Sequence, residues 1–331
     1  MNLSGKTVLI TGGAGFIGSH VTEAFLESGA NVRVFFHYNG KQDTGVLDHS
    51  VLSKIDKVYG AITDAGAVRD AVKGCDVVIH MASIPGIPYS YEHPQEVFDV
   101  NAGGALNVLN ACLAERDTVK RIVTTSTSEV YGSADVLPIT ERSPLKPQSP
   151  YAAAKVAADA LAGSFYCSYG LPVVIARLFN TMGPRQSARA LIPAVIKQAL
   201  WADKIMVGSL TPKRDYLYAR DAASAFVRCA MADDKVNGEL IHFGTGKLYS
   251  VREVIDMVQD IIDIDNRKSV ESVPYRMRPN ASEVTHLLCD PSKAEQLLGW
   301  QPTVQLNQGL AHTIEYMKRN LDKYDPTSYS K

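Results

Sequence analysis

Short apolar runs alternate with longer stretches of helical spacing through the first half of the chain. Residues 6–11 are β-branched and apolar and stop at glycines, the pattern of a parallel strand covered on both faces. Residues 31–36, 57–62, 76–80, 119–125 and 172–178 read as five further strands. Between them, 16–27, 94–115 and 151–169 carry helical periodicity. Two segments break the rhythm. Residues 84–91 combine Pro85, Gly86 and Pro88 with large apolar side chains, which reads as a loop. Residues 141–150, with Pro144, Pro147 and Pro150, read as extended chain leading into the helix at Tyr151. Beyond residue 178 the alternation loosens, with short strands near 204–207 and 240–243 and helices near 190–201, 221–231, 251–262 and 292–298.

This order of elements predicts an α/β fold, a doubly wound parallel sheet of Rossmann type with a smaller, interwoven carboxy-terminal lobe. The expected division is 1–178 for the first domain and 179–320 for the substrate lobe, some segments of which return to the first domain. A polar tail, 321–331, is expected to be loosely ordered.

The first strand ends in Gly12-Gly13-Ala14-Gly15-Phe16-Ile17-Gly18. Gly12, Gly15 and Gly18 allow a tight turn, close approach of a pyrophosphate and close packing of the next helix, whose first N–H groups, from Phe16 and Ile17, face the phosphates. A dinucleotide cofactor is therefore expected. The second strand ends in Phe36, His37, Tyr38 and Asn39, without the acid that usually meets the adenosine ribose of NAD. NAD and NADP both stay open, with a lean to NADP because His37 or Lys41 could neutralise its extra phosphate. Asp64 follows the third strand and either caps the next helix or meets the adenine. His80 ends the fourth strand as a packed core residue. Ala82, just after it, is small enough for a nicotinamide ribose to lie against the backbone, and Ser90, in the loop that follows, is a candidate substrate contact.

Polar residues crowd the end of the fifth strand, where open parallel sheets bind ligands. Tyr151 and Lys155, one helical turn apart, form a proton-handling pair. A phenol is a poor base near neutrality unless a cation favours the phenolate, and Lys155 is the expected cation. Thr127 is placed to hydrogen-bond the same substrate hydroxyl and turn its proton toward Tyr151.

The composition narrows the partners. With 34 Lys+Arg against 35 Asp+Glu, the net charge of −1 gives no surplus that would draw nucleic acid or an anionic membrane. No apolar run of membrane-spanning length and no leader stand out, so a cytoplasmic protein is expected. Cys75, Cys112, Cys167, Cys229 and Cys289 are too dispersed for a disulfide framework or a metal cluster and read as reduced packing residues.

Taken with TGGAGFIGSH at 11–20, Asp64, HMAS at 80–83, Asn101, STSEVYG at 126–132, RLFNTMGPR at 177–185, Arg214-Asp215-Tyr216, RPNASEV at 278–284 and LGWQP at 298–302, the chain resembles the extended short-chain dehydrogenases/reductases that act on nucleotide sugars. The resemblance implies a cofactor contact at Asn101 and substrate contacts at Asn180, Arg185, Arg214 and Arg278, Arg214 and Arg278 facing a diphosphate. STSEVYG is similar to the 4,6-dehydratases, and QSPY at 148–151 with the stretches around 180 and 210 is most similar to bacterial N-acetylglucosamine dehydratases. Thr127, Ser128, Glu129, Tyr151 and Lys155 are then the catalytic set, with Ser128 standing where the dTDP-glucose dehydratases carry an aspartate. The implied assembly is a homodimer. A 4-epimerase or decarboxylase of the same fold stays open, as does a noncatalytic dinucleotide sensor, which would be expected to lack Tyr151 or Lys155. Arg220 has no assigned role.

Overall fold

A computed structural model describes residues 1–41 and 44–324, and the side chain of Lys41 and the segment 325–331 lie outside the described residues. Seven parallel strands form the main sheet in the order Leu240–Phe243, Val173–Leu178, Arg121–Thr127, Val77–His80, Thr7–Thr11, Asn31–Phe36, Asp56–Tyr59. Thr7–Thr11 pairs with Asn31–Phe36 on one side and Val77–His80 on the other, so the chain reverses its winding there. That reversal opens the crevice in which doubly wound sheets hold their ligands.

One face of the sheet is sealed by a core of Val8, Ile10, Val21, Phe25 and Val123 with Phe226, Cys229, Phe243 and Trp300. The other is sealed by Leu9, Val78, Val108, Leu109, Cys112, Ile122 and Phe165. Strand Leu240–Phe243 and helix Ala219–Met231 come from beyond residue 178 and build into this first unit. The remaining small lobe has its own core around Ile192, Val195, Ile205, Val254, Ile255, Leu310 and Ile314.

The structure departs from the sequence reading at several places. Residues 87–92 form a short helix, Ile87–Glu92, rather than loop, because Pro88 falls in its first turn, where a missing N–H costs nothing. The long helix Pro94–Ala114 passes through a π-helical segment, Asp99–Gly103, that carries Asn101. By length and composition this stretch could cross a membrane, contrary to the reading of the apolar runs, yet half of it is buried inside the fold. Residues 320–324 are also held: Leu321–Lys323 forms a 3-10 turn, and buried Tyr324 donates to Gln186 O at 3.0 Å. Cys167 is exposed, unlike the other four cysteines, so it is no packing residue.

Candidate active site

The phosphate turn is shaped by what its glycines lack. A Cβ on Gly18 would sit 2.0 Å from Gly12 O, and one on Gly12 would sit 2.8 Å from Ala82 N. The first helix, Phe16–Glu27, therefore packs directly on the turn, and the turn abuts the backbone after the fourth strand. Gly15 caps that helix with no side chain, so the first-turn N–H groups of Phe16 and Ile17 have no side-chain acceptor at the cap. The residues present fit a dinucleotide.

Thr11 Oγ1 fixes the next wall of the groove. It accepts from Met81 N at 3.1 Å and Ala82 N at 3.2 Å and lies 2.9 Å from His80 Nδ1. Burial, with Lys155 nearby, lowers the His80 pKa to about 3, so its ring is neutral and its Nδ1 accepts the Thr11 hydroxyl. Asn101 is buried, donates to Ile84 O and accepts from Ile84 N, which anchors the loop beyond Ala82. Its side chain therefore holds the wall of the groove. Asp64 is exposed and caps helix Ala65–Val72 by accepting from Gly66 N and Ala67 N, so capping accounts for it. His37 is exposed in a depression of about 980 Å³ that also contains Glu92, Glu96 and Asp99. Those carboxylates come from a distant segment and bring negative charge to the same depression, while the side chain of Lys41 lies outside the described residues.

At the catalytic end, strand Arg121–Thr127 runs into a 3-10 turn, Ser128–Tyr131, started by the Thr127 hydroxyl, which accepts from Glu129 N. The turn buries Ser128 to 1% and Glu129 to 9% exposure. Facing it, helix Pro150–Tyr169 begins at Ser149, whose hydroxyl accepts from Ala152 N, with Pro150 in the first turn. Tyr151 is thereby pinned beside Thr127, with which its side chain hydrogen-bonds.

Burial pushes the Tyr151 phenol up to about 12; its bond to Thr127 opposes this, and Glu129 and Asp159 add to it. Lys155 does not offset the rise as expected. Its ammonium donates to Thr125 O at 2.5 Å, and burial lowers its pKa. Lys155 is thus spent on the strand backbone and is not among the groups that shift the Tyr151 phenol.

The substrate side carries buried polar atoms without hydrogen-bond partners among the described residues: Asn180 Oδ1, Tyr216 Oη and Arg278 Nη1. Asn180 and Tyr216 are register partners on adjacent short strands. Arg278 Nη1 lies 3.6 Å from Glu129 Oε2, and Arg214 Nη2 lies 3.8 Å from Glu283 Oε1. Such unspent donors and acceptors mark where a polar ligand sits. Tyr216 and Glu283 were not singled out from the sequence; only their place in motifs signalled them.

Two candidates fall away. Ser90 is fully buried, and its hydroxyl donates to Ile87 O at 2.6 Å, so it closes its own helix. Arg185 forms a two-pronged pair with Glu23, both contacts at 2.7 Å, and donates to His20 Nδ1. Burial first, then Arg185, lowers the His20 pKa to about 4, leaving its Nε2–H to donate to Pro184 O. Arg185 fastens the loop after residue 182 to the first helix instead of meeting substrate. Arg220 is exposed and 3.9 Å from Glu27.

A turn built for a dinucleotide, next to a buried tyrosine and lysine and a pocket of unspent polar groups, defines a nicotinamide-dependent enzyme of polar, phosphorylated substrates. The comparisons agree. A family model described as GDP-mannose 4,6 dehydratase matches residues 9–313. A UDP-N-acetyl-alpha-D-glucosaminuronate decarboxylase of Bacillus cytotoxicus is 33% identical over 327 residues, covering 95% of this chain and 98% of that one. A dTDP-glucose 4,6-dehydratase of Streptomyces venezuelae, solved with NAD bound, is 28% identical with a TM-score of 0.83, covering 97% and 100%. A UDP-glucuronic acid 4-epimerase of Bacillus cereus, solved with UDP-glucuronic acid and NAD, is 28% identical with a TM-score of 0.84, covering 95% and 99%. The chain belongs to the extended short-chain dehydrogenase/reductase family of nucleotide-sugar dehydratases, epimerases and decarboxylases.

Tyr151→Phe removes the proton acceptor and keeps the ring. Cofactor and substrate binding are expected to survive while turnover falls by roughly a hundredfold or more, read by steady-state kinetics with parallel calorimetry.

Proposed function

We propose that this protein is a nucleotide-sugar 4,6-dehydratase acting on an NDP-hexose, with NDP-N-acetylglucosamine the favoured substrate by motif resemblance. The observation that carries the reading is Glu129, a carboxylate buried two residues beyond Thr127 and close enough to Tyr151 to raise its pKa. Bound cofactor would take hydride from C4 and return it to C6.

The chain's own residues do the proton work. Tyr151 accepts the C4 hydroxyl proton while Thr127 orients that oxygen. Once C4 is a ketone, the C5 proton is acidic because the resulting carbanion is delocalised into the carbonyl, and Glu129 takes it. Ser128 is a feeble acid and buried, so the same glutamic acid protonates the departing C6 hydroxyl, which leaves as water, and a proton from solvent would be returned to C5 as C6 is reduced, completing the 4-keto-6-deoxy sugar. Asn180 and Tyr216 offer polar contacts to the sugar nucleotide, and Arg214 and Arg278 offer charge to its diphosphate. A 4-epimerase has no use for a buried base beside C5.

We favour NAD as the cofactor: similar solved enzymes were crystallised with NAD, and the His37 depression carries three carboxylates that would not welcome a further phosphate. The long helix and the Tyr151 helix pack together and leave Phe98, Leu106 and Tyr169 exposed, which supports a twofold dimer of a cytoplasmic enzyme.

Glu129→Gln keeps shape and hydrogen bonding but cannot take the C5 proton. It is expected to accumulate reduced nicotinamide, seen by absorbance, while release of the 4-keto-6-deoxy product collapses; product at the unmutated rate would sink the reading. Calorimetry on cofactor-stripped protein is expected to show NAD binding tighter than NADP by about tenfold or more, and the reverse order would show that His37 dominates its acidic neighbours. Light scattering at micromolar concentration is expected to give the mass of two chains.

A further inference from the structure

The strand that ends in Thr127 and the helix that begins at Pro150 meet through three consecutive strand residues. Thr127 bonds Tyr151, Thr125 O accepts from Lys155, and between them Ser126 Oγ donates to Asp159 Oδ2 at 2.6 Å. Tyr151, Lys155 and Asp159 lie four residues apart in succession on one face of the helix. Asp159 is also gripped by Arg177 of the neighbouring strand, whose Nη2 donates to Oδ2 at 2.6 Å while its Nε donates to Ser126 Oγ at 3.0 Å. The side chains of Arg177 and Asp159 are 3% and 10% exposed. Arg177 is steadied in turn by the Tyr131 ring, 4.7 Å below its guanidinium, and Tyr131 Oη lies 2.7 Å from His242 Nε2.

We propose that Asp159 is a positioning residue for the Tyr151–Lys155 pair: clamped by Arg177 and Ser126, its carboxylate keeps the buried Lys155 charged and seated on Thr125. The charges around Lys155 support this. Burial and Arg177 both disfavour the ammonium, and Asp159 favours it. His80, on the fourth strand, is neutral and adds no charge. Glu129 faces Tyr151 from the 3-10 turn. Two cations thus share one carboxylate, and removing it leaves Lys155 the group that can shed its charge, since a guanidinium does not.

A purely structural Asp159–Arg177 pair is distinguished by pH. Asp159→Asn keeps both acceptor contacts but loses the charge, so the folded-state pKa of Lys155 falls further below its unfolded value. Between the Lys155 pKa in the folded variant and that in the folded unmutated protein, the folded variant lacks a proton that its unfolded chain still binds, so raising the pH stabilises the variant relative to the parent. The gap in thermal midpoint between the two, measured on the full chain without substrate, is therefore expected to narrow as pH rises from 7 to about 10. Lys155→Met should abolish that narrowing, and Asp159→Glu should restore a gap that does not change with pH. A constant gap across the range, with Asp159→Asn folded by circular dichroism, would overturn the proposal whatever the substrate is. If Asp159→Asn does not fold, Asp159→Glu and Lys155→Met carry the test: a Lys155→Met protein whose stability follows the same pH course as the parent and as Asp159→Glu, with no loss of turnover, overturns it. With a nucleotide sugar that the parent turns over, the alkaline limb of kcat should move to lower pH in Asp159→Asn, with at least a threefold loss at the parent's alkaline midpoint and little change in KM.

Discussion

Burying a phenol and an ammonium side by side at the end of a parallel strand is the constraint around which this structure is arranged. Tyr151 and Lys155 are both almost fully enclosed, and burial alone disfavours the charged form of each. A phenol held neutral in this way becomes a proton acceptor only when nearby positive charge favours its phenolate. The buried ammonium is met by Thr125 O and favoured by the charge of Asp159. The seven-stranded sheet supplies the rigidity this needs, since the strand is paired on both sides up to Thr124 and Thr125, Ser126 and Thr127 continue in register with Val173–Leu178.

The same strand end separates two tasks. On one side the glycine turn, Thr11 and the loop held by Asn101 shape a groove for the cofactor. On the other lie Asn180, Tyr216 and Arg278 with hydrogen-bonding capacity still unspent, and Arg214 beside Glu283. Glu129 stands between them, on the turn that Thr127 starts. Its carboxylate lies 3.6 Å from Arg278.

Much of this was readable from the chain because local rules decide it. Glycines at 12, 15 and 18 force the turn, since side chains at 12 and 18 would strike backbone. Ser149 and Pro150 fix where the catalytic helix starts, and hence where Tyr151 points. The misreadings share a cause, which is that the deciding partner is far away in sequence. Nothing near His37 announces that Glu92, Glu96 and Asp99 line the same depression, and nothing near Arg185 announces Glu23. Ser90 failed for the opposite reason: a proline in the first turn of its helix was read as a helix breaker. Asp159 was within reach, four residues beyond Lys155, but its weight comes from Arg177 and Ser126, which only the sheet brings to it.

The central claim is that a proton leaves C5 and a hydroxyl leaves C6 of a nucleotide-linked hexose. Incubating the purified protein with UDP-, GDP- and dTDP-linked hexoses and N-acetylhexosamines in deuterated water, and weighing the products by mass spectrometry, tests it directly. The account predicts a product that has lost one water and carries solvent deuterium at C5. A product of unchanged composition inverted at C4, or conversion of hexuronates alone with loss of carbon dioxide, would contradict it.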